Sequence, residues 1–95
     1  MNVKFHPDAD AEMAEAAAHY EGQQPDLGKR FLASVYDAVN RIATNPHLYP
    51  AVELDVRRCL TKTFPFGVLF RERPGRIVIV AVMHLHRDPD SWKDR

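Results

Sequence analysis

The sequence predicts an α+β domain in the order β-α-α-β-β-β, an antiparallel sheet with a helical hairpin packed on one face. Three observations predict it. Two stretches with apolar residues at three- and four-residue spacing follow one another across a short Gly/Pro link. The last third of the chain falls into short, β-branched apolar segments broken at Pro74-Gly75. A brief alternating segment precedes the first helix.

Asn2-Val3-Lys4-Phe5 alternates polar and apolar residues and stops before Pro7, as a short strand does. Pro7 lacks the donor that a first helical turn would orphan, and Asp8, Asp10 and Glu12 complement the positive end of the helix dipole, so the first helix starts at Pro7 or Asp8. Met13, Ala16, Ala17 and Tyr20 give it a narrow face of mostly small side chains, suited to close packing, and it ends near Gly22. Pro25 and Asp26 open a second helix, in which Leu27, Phe31, Val35, Ala38, Val39 and Ile42 keep helical spacing until Asn45-Pro46 breaks the run. So short a link makes the pair an antiparallel hairpin.

Residues 45–53, NPHLYPAVE, read as a crossing loop bearing Pro46 and Pro50. Strands are expected over 55–63, 66–72 and 76–85, with Gly75 supplying the positive φ of the last turn. The run IVIVAVM is almost continuously apolar, the mark of a central strand covered on both faces. With the helices on one side, the opposite face and the sheet edge are expected to be open to a hydrophobic partner segment.

Length and composition bound the function. Residues 1–95 make one domain, which hides roughly 60–65% of the surface of its unfolded chain. Neither a signal peptide nor an apolar stretch of about 18 residues is present, so the expected location is the cytoplasm, with no membrane partner. Cys59, the single cysteine, cannot form an internal disulfide and reads as a small buried hydrophobe. The net charge is zero, but residues 1–53 carry four basic and eight acidic side chains whereas residues 54–95 carry nine and five. The strand-forming part is therefore the basic part, and a basic face attracts an acidic partner.

No glycine-rich phosphate loop, cysteine pair for zinc or acidic calcium loop occurs, so no cofactor and no metal are expected. His84-x-His86 places two imidazoles on one side of a strand, but no third ligand stands at suitable spacing. Trp92 lies in a charged tail, where it either folds back over the core or stands out as a contact. Tyr20 and Tyr49 read as packing residues. Phe64, Phe66 and Phe70 could stack bases as in a small RNA-binding module, but the aromatic and glycine pattern of RNA-recognition strands is missing.

Taken together, Tyr20, Gly28-x-x-Phe31, Ile42, Asn45-Pro46, Pro50, Arg57-Arg58, Phe64-Pro65-Phe66 and the strand at 77–84 followed by Arg87, Pro89 and Trp92 resemble the RelE/ParE superfamily of toxins. The resemblance covers nearly the whole chain and keeps the order of elements. It implies the toxin half of a type II toxin–antitoxin pair, a plasmid stabilisation protein, neutralised by a cognate antitoxin with an acidic segment in a hetero-oligomer. Arg57, Arg58 and Arg71 with Phe66, Leu69 and Phe70 are then the expected antitoxin contacts, although Phe66 and Phe70 fit a core equally well.

The superfamily divides by target. RelE-like members are ribosome-dependent endoribonucleases that cut mRNA without metal, which requires a base, an acid and cations for the phosphorane charge. The candidates are Arg58, Lys62, Arg71, His84, His86 and Arg87, and among them His84, Arg58, Arg87 and Lys62 form the expected catalytic set. Against this branch, no tyrosine follows Tyr49, where such nucleases carry one near the carboxyl end, and the chain is neutral where rRNA binding favours strong basicity. ParE-like members poison DNA gyrase through protein contact, and this branch fits better; a non-toxic binding protein on the same fold is the third reading. Residues 87–95, with Arg87, Trp92 and Arg95, are the expected target contacts.

Overall fold

The computed structural model describes residues 2–87 and 89–95. Its elements are β1 (Asn2–Phe5), α1 (Pro7–Gln23), α2 (Leu27–Thr44), a 3-10 turn at Pro46–Leu48, β2 (Ala51–Glu53), β3 (Val56–Leu60), β4 (Phe66–Arg73) and β5 (Arg76–His84). Among the described residues, no helix is long and apolar enough to cross a membrane.

The helix starts obey local chemistry, in one case not the expected chemistry. His6 caps α1 by accepting the Asp8 N–H on Nδ1 at 3.0 Å, with Pro7 in the first turn. For α2 the Asp26 side chain makes no capping bond, and its φ is +70°. Glu21, at the end of α1, does the capping instead: its two carboxylate oxygens accept the N–H groups of Asp26 and Gly28, each at 3.0 Å. At the same crossing, a Cβ on Gly28 would lie 2.7 Å from the Ala17 carbonyl oxygen, so glycine sets how closely the helices approach.

The five strands form one sheet in the order β1-β5-β4-β3-β2. β3, β4 and β5 are the expected antiparallel meander, closed by Gly75 at φ +73°. Two details differ from the sequence reading. β1 runs parallel to β5, pairing Asn2 with Arg76 through Phe5 with Ile79, so the sheet is mixed. A two-residue periodicity says that a segment is a strand but not which way it runs beside its neighbour. The expected loop at 45–53 also holds the 3-10 turn and β2, a strand of three exposed residues too short to show alternation.

β5 carries a bulge. Leu69 pairs with Ala81 and Phe70 with Ile79, leaving Val80 as the extra residue. The parity of the strand flips there: Ile77, Ile79 and Val82 face the helices, whereas Val80, Ala81 and Met83 face the other side. The helix-side core joins Phe31, Val35 and Ile42 of α2 to Cys59, Phe66, Val68 and Phe70 of the sheet. On the outer face, Val56, Leu69, Val80, Ala81 and Met83 are roofed by Trp92, which is 3% exposed. IVIVAVM is thus covered on both faces, on the outer one by the carboxyl-terminal tail.

That tail corrects the expectation of an open outer face. Arg95 holds it down: its guanidinium donates to both Glu12 carboxylate oxygens, at 2.7 and 3.1 Å, and to the Val80 carbonyl at 3.0 Å. The Arg95 carbonyl in turn accepts from Arg71 Nη1 at 2.7 Å. Lys93 adds ion pairs to Glu53 at 2.9 Å and Asp90 at 2.7 Å. What remains open is the end of the face bearing Arg58, Leu60 and Leu85, of which Leu60 and Leu85 are large exposed hydrophobics.

Candidate functional site

β3 alternates Cys59 toward the helices with Arg58 and Leu60 toward the outer face. Opposite them on β4, Leu60 pairs with Gly67 and Arg58 with Leu69. Gly67 leaves the space that the Arg58 stem fills, since a Cβ there would lie 3.0 Å from Arg58 Cδ and 3.5 Å from Leu85 Cδ2. His84 ends β5, its ring edge-on to Phe66 at 5.3 Å and tilted against His86 at 5.3 Å. The His86 N–H donates to His84 Nδ1 at 3.1 Å, so the neutral imidazole carries its proton on Nε2. The Arg87 N–H donates to the His84 carbonyl at 3.0 Å, and the two residues line the same cavity.

Arg58, His84 and Arg87, three of the four residues of the expected catalytic set, line one small cavity of about 140 Å³ with Leu69, Met83 and Trp92 at its floor. Glu53 and Asp90 reach the same rim, but both are paired with Lys93. The site therefore offers two guanidiniums, one imidazole with a second beside it, and apolar surface from Leu60 and Leu85. That arrangement suits an acidic and apolar partner surface or a phosphate. Among the described residues, no group of three or more metal-ligating side chains comes together.

The other expected site residues lie elsewhere. Lys62 follows β3 on the helix side, 4.0 Å from Asp37. Arg71 is spent on Asp55, at 3.2 Å, and on the Arg95 carbonyl. Arg57 points to the helix side and donates to the Tyr49 carbonyl at 2.6 Å. Phe66 and Phe70 are core residues, 7% and 0% exposed, and offer no surface to a partner. Trp92 is the roof of the outer core and not a projecting contact, because burying an indole over Leu69 and Met83 outweighs leaving it in water. Arg95 is a clamp, its pKa raised by the hydrogen bonds it donates to Glu12. Of Arg87, Trp92 and Arg95, the residues named as target contacts, Arg87 alone stays exposed. Cys59 is buried, its thiol pushed up by burial, with Arg41 Nη1 donating to its sulfur at 3.3 Å.

Glu12 escaped the sequence reading as more than a first-turn carboxylate. It accepts the Val82 N–H at 3.2 Å besides pairing with Arg95, and these contacts span 70 and 83 residues. It borders a larger groove of about 720 Å³ between α1 and the outer edge of β5, which Ala16, Tyr20, Phe66, Val82 and His84 also line. No local signal in the chain could have paired those segments.

A search of curated proteins found no match. Among solved structures the chain is similar to one described as the chromosomal ParDE TA system from P. aeruginosa, with a TM-score of 0.80 at 19% identity, over 90% of this chain and 97% of that one. At that identity the likeness speaks for the fold. The family model described as ParE toxin of type II toxin-antitoxin system, parDE, matches residues 3–89, from β1 through the cavity around Arg58, His84 and Arg87. That span takes in both helices and, apart from Asn2, the strands described above, and the chain belongs to the family of ParE toxins of type II toxin–antitoxin systems.

Proposed function

We propose that this toxin is held inactive by a cognate antitoxin with an acidic segment and acts in the cytoplasm on DNA gyrase by protein contact. The open end of the outer face carries the proposal: Arg58 and Arg87 stand beside exposed Leu60 and Leu85, a mixed cationic and apolar surface of the kind that meets another protein. Zero net charge supports the same reading, because a protein competing for ribosomal phosphates gains from many cations. Arg58 and Arg87 are the target contacts, and charge reversal at Arg58 also weakens capture of the acidic antitoxin, measured by calorimetry.

The experiment is induction of the chain alone, with primer extension on cellular messages and plasmid supercoiling scored in the same cultures. Intact messages with altered topology are expected. New cuts within translated codons would overturn the gyrase reading and favour a ribonuclease. One observation favours that second reading: His84 lines the cavity of Arg58 and Arg87, with the His86 ring 5.3 Å from its own. In that case His84→Ala abolishes cutting while antitoxin binding persists.

A further inference from the structure

We infer that the outer-face cavity lined by Arg58 and Arg87 is an anchor pocket that takes one apolar side chain of gyrase, carried beside a carboxylate, an inference that rests on the gyrase reading above. Volume excludes most other occupants. Pockets for whole small molecules run to roughly 300–1,000 Å³, whereas this cavity holds about 140 Å³. A space of about 150 Å³ accepts a single benzene ring, so there is room for one side chain of leucine, methionine or phenylalanine size. The floor of Leu69, Met83 and Trp92 is buried and apolar, while Val52 and Leu85, which also line the cavity, stay exposed. An incoming apolar side chain therefore dries surface that the free chain leaves in water.

Charge decides what accompanies the anchor. The charged side chains lining the cavity are Arg58, Arg87, Glu53 and Asp90, and the His84 imidazole lines it too. The two carboxylates share Lys93, at 2.9 and 2.7 Å. Arg58 and Arg87, by contrast, form no side-chain ion pair or hydrogen bond among the described residues. A protein surface that closes over such a guanidinium strips its water, a cost that a carboxylate offsets best because it can accept two parallel N–H bonds. The occupant is thus an acidic segment with one apolar anchor. Lys93 also sets the width of the mouth, since Glu53 belongs to β2 and Asp90 to the tail, and Arg95 on Glu12 keeps the tail and Trp92 in place. The pocket is preformed, so binding loses little free energy in shaping it.

The test mixes purified gyrase with the full chain, isotopically labelled at its methionine methyls, and measures affinity by calorimetry. The Met83 methyl resonance is expected to shift on binding, whereas that of Met13, in the core beneath the helices, stays in place. Val52→Trp and Leu85→Trp fill the cavity from two of its walls. Each is expected to weaken gyrase binding by about tenfold or more, the loss of a hot-spot contact, with the urea midpoint unchanged; should one variant unfold, the other decides. Gyrase that binds with Met83 unmoved, or that binds the tryptophan variants at full affinity, overturns the pocket and leaves the gyrase reading standing. Full gyrase affinity with antitoxin affinity lost assigns the cavity to the antitoxin instead, and a Met83 shift that follows the chain's own concentration assigns it to a second copy. Failure of the wild-type chain to bind gyrase overturns the gyrase reading, and the pocket with it.

Discussion

Trp92→Ala tests whether the tail is part of the fold. The indole is 3% exposed and roofs Val56, Leu69, Val80, Ala81 and Met83, a core separate from the one beneath the helices. A tryptophan buries roughly 150–250 Å², worth about 4–6 kcal/mol at about 25 cal/mol per Å². An extended unfolded chain overstates that burial by roughly 10–40%, and large aromatic truncations cost about 3–5 kcal/mol. The expected loss is therefore about 3–4 kcal/mol, a large part of the roughly 5–15 kcal/mol that holds a domain together. At about 4–8 °C per kcal/mol for a chain of this size, Tm should fall by roughly 12–30 °C. Urea unfolding followed by far-UV circular dichroism reads it, since the variant loses the sole tryptophan. Adding Arg95→Ala should then cost less than it does in the wild-type background, because a tail already loosened has less of the Glu12 clamp to lose. A loss under about 1 kcal/mol with an unchanged m value would refute the roof, as surface substitutions cost that little.

Two glycines of the hairpin should respond with opposite signs to alanine: Gly28→Ala drives a Cβ into the Ala17 carbonyl and should cost about 1–3 kcal/mol. Gly22→Ala meets nothing within 4 Å and should stabilise by about 0.4–1 kcal/mol, both read by urea unfolding. Gly67→Ala presses on the flexible Arg58 stem rather than on backbone, so stability should change by less than about 1 kcal/mol while growth inhibition falls. Asp55 is held below its ordinary 3.8 by hydrogen bonds from Arg73 first and Arg71 next. Its contribution is present above pH 3.8 and fades as the pH falls through the lower folded value, so thermal melts below pH 3.8 should show a shallower acid loss for Asp55→Asn than for the wild type.

The sequence by itself determined the elements that local chemistry controls. Both helices, the three meander strands and the Pro74-Gly75 turn follow from apolar periodicity, proline and glycine, which act over a few residues. The order of elements and the grouping of motifs around Arg58, His84 and Arg87 were legible too, because the last strands form a meander of neighbours in sequence.

Tertiary structure decided the rest. It set β1 parallel to β5, and it placed a bulge at Val80 that turns Val82 to the helices and Met83 away. It also assigned Arg57, Arg71 and Arg95 to internal partners, although in the sequence they are as basic as Arg58. A guanidinium is committed or exposed according to which carbonyl or carboxylate lies within reach, and for Arg95 that is Glu12, 83 residues away. Local sequence fixes the kind of element because its forces are short in range. Which side chains stay open to a partner depends on contacts that exist only when the whole sheet has closed.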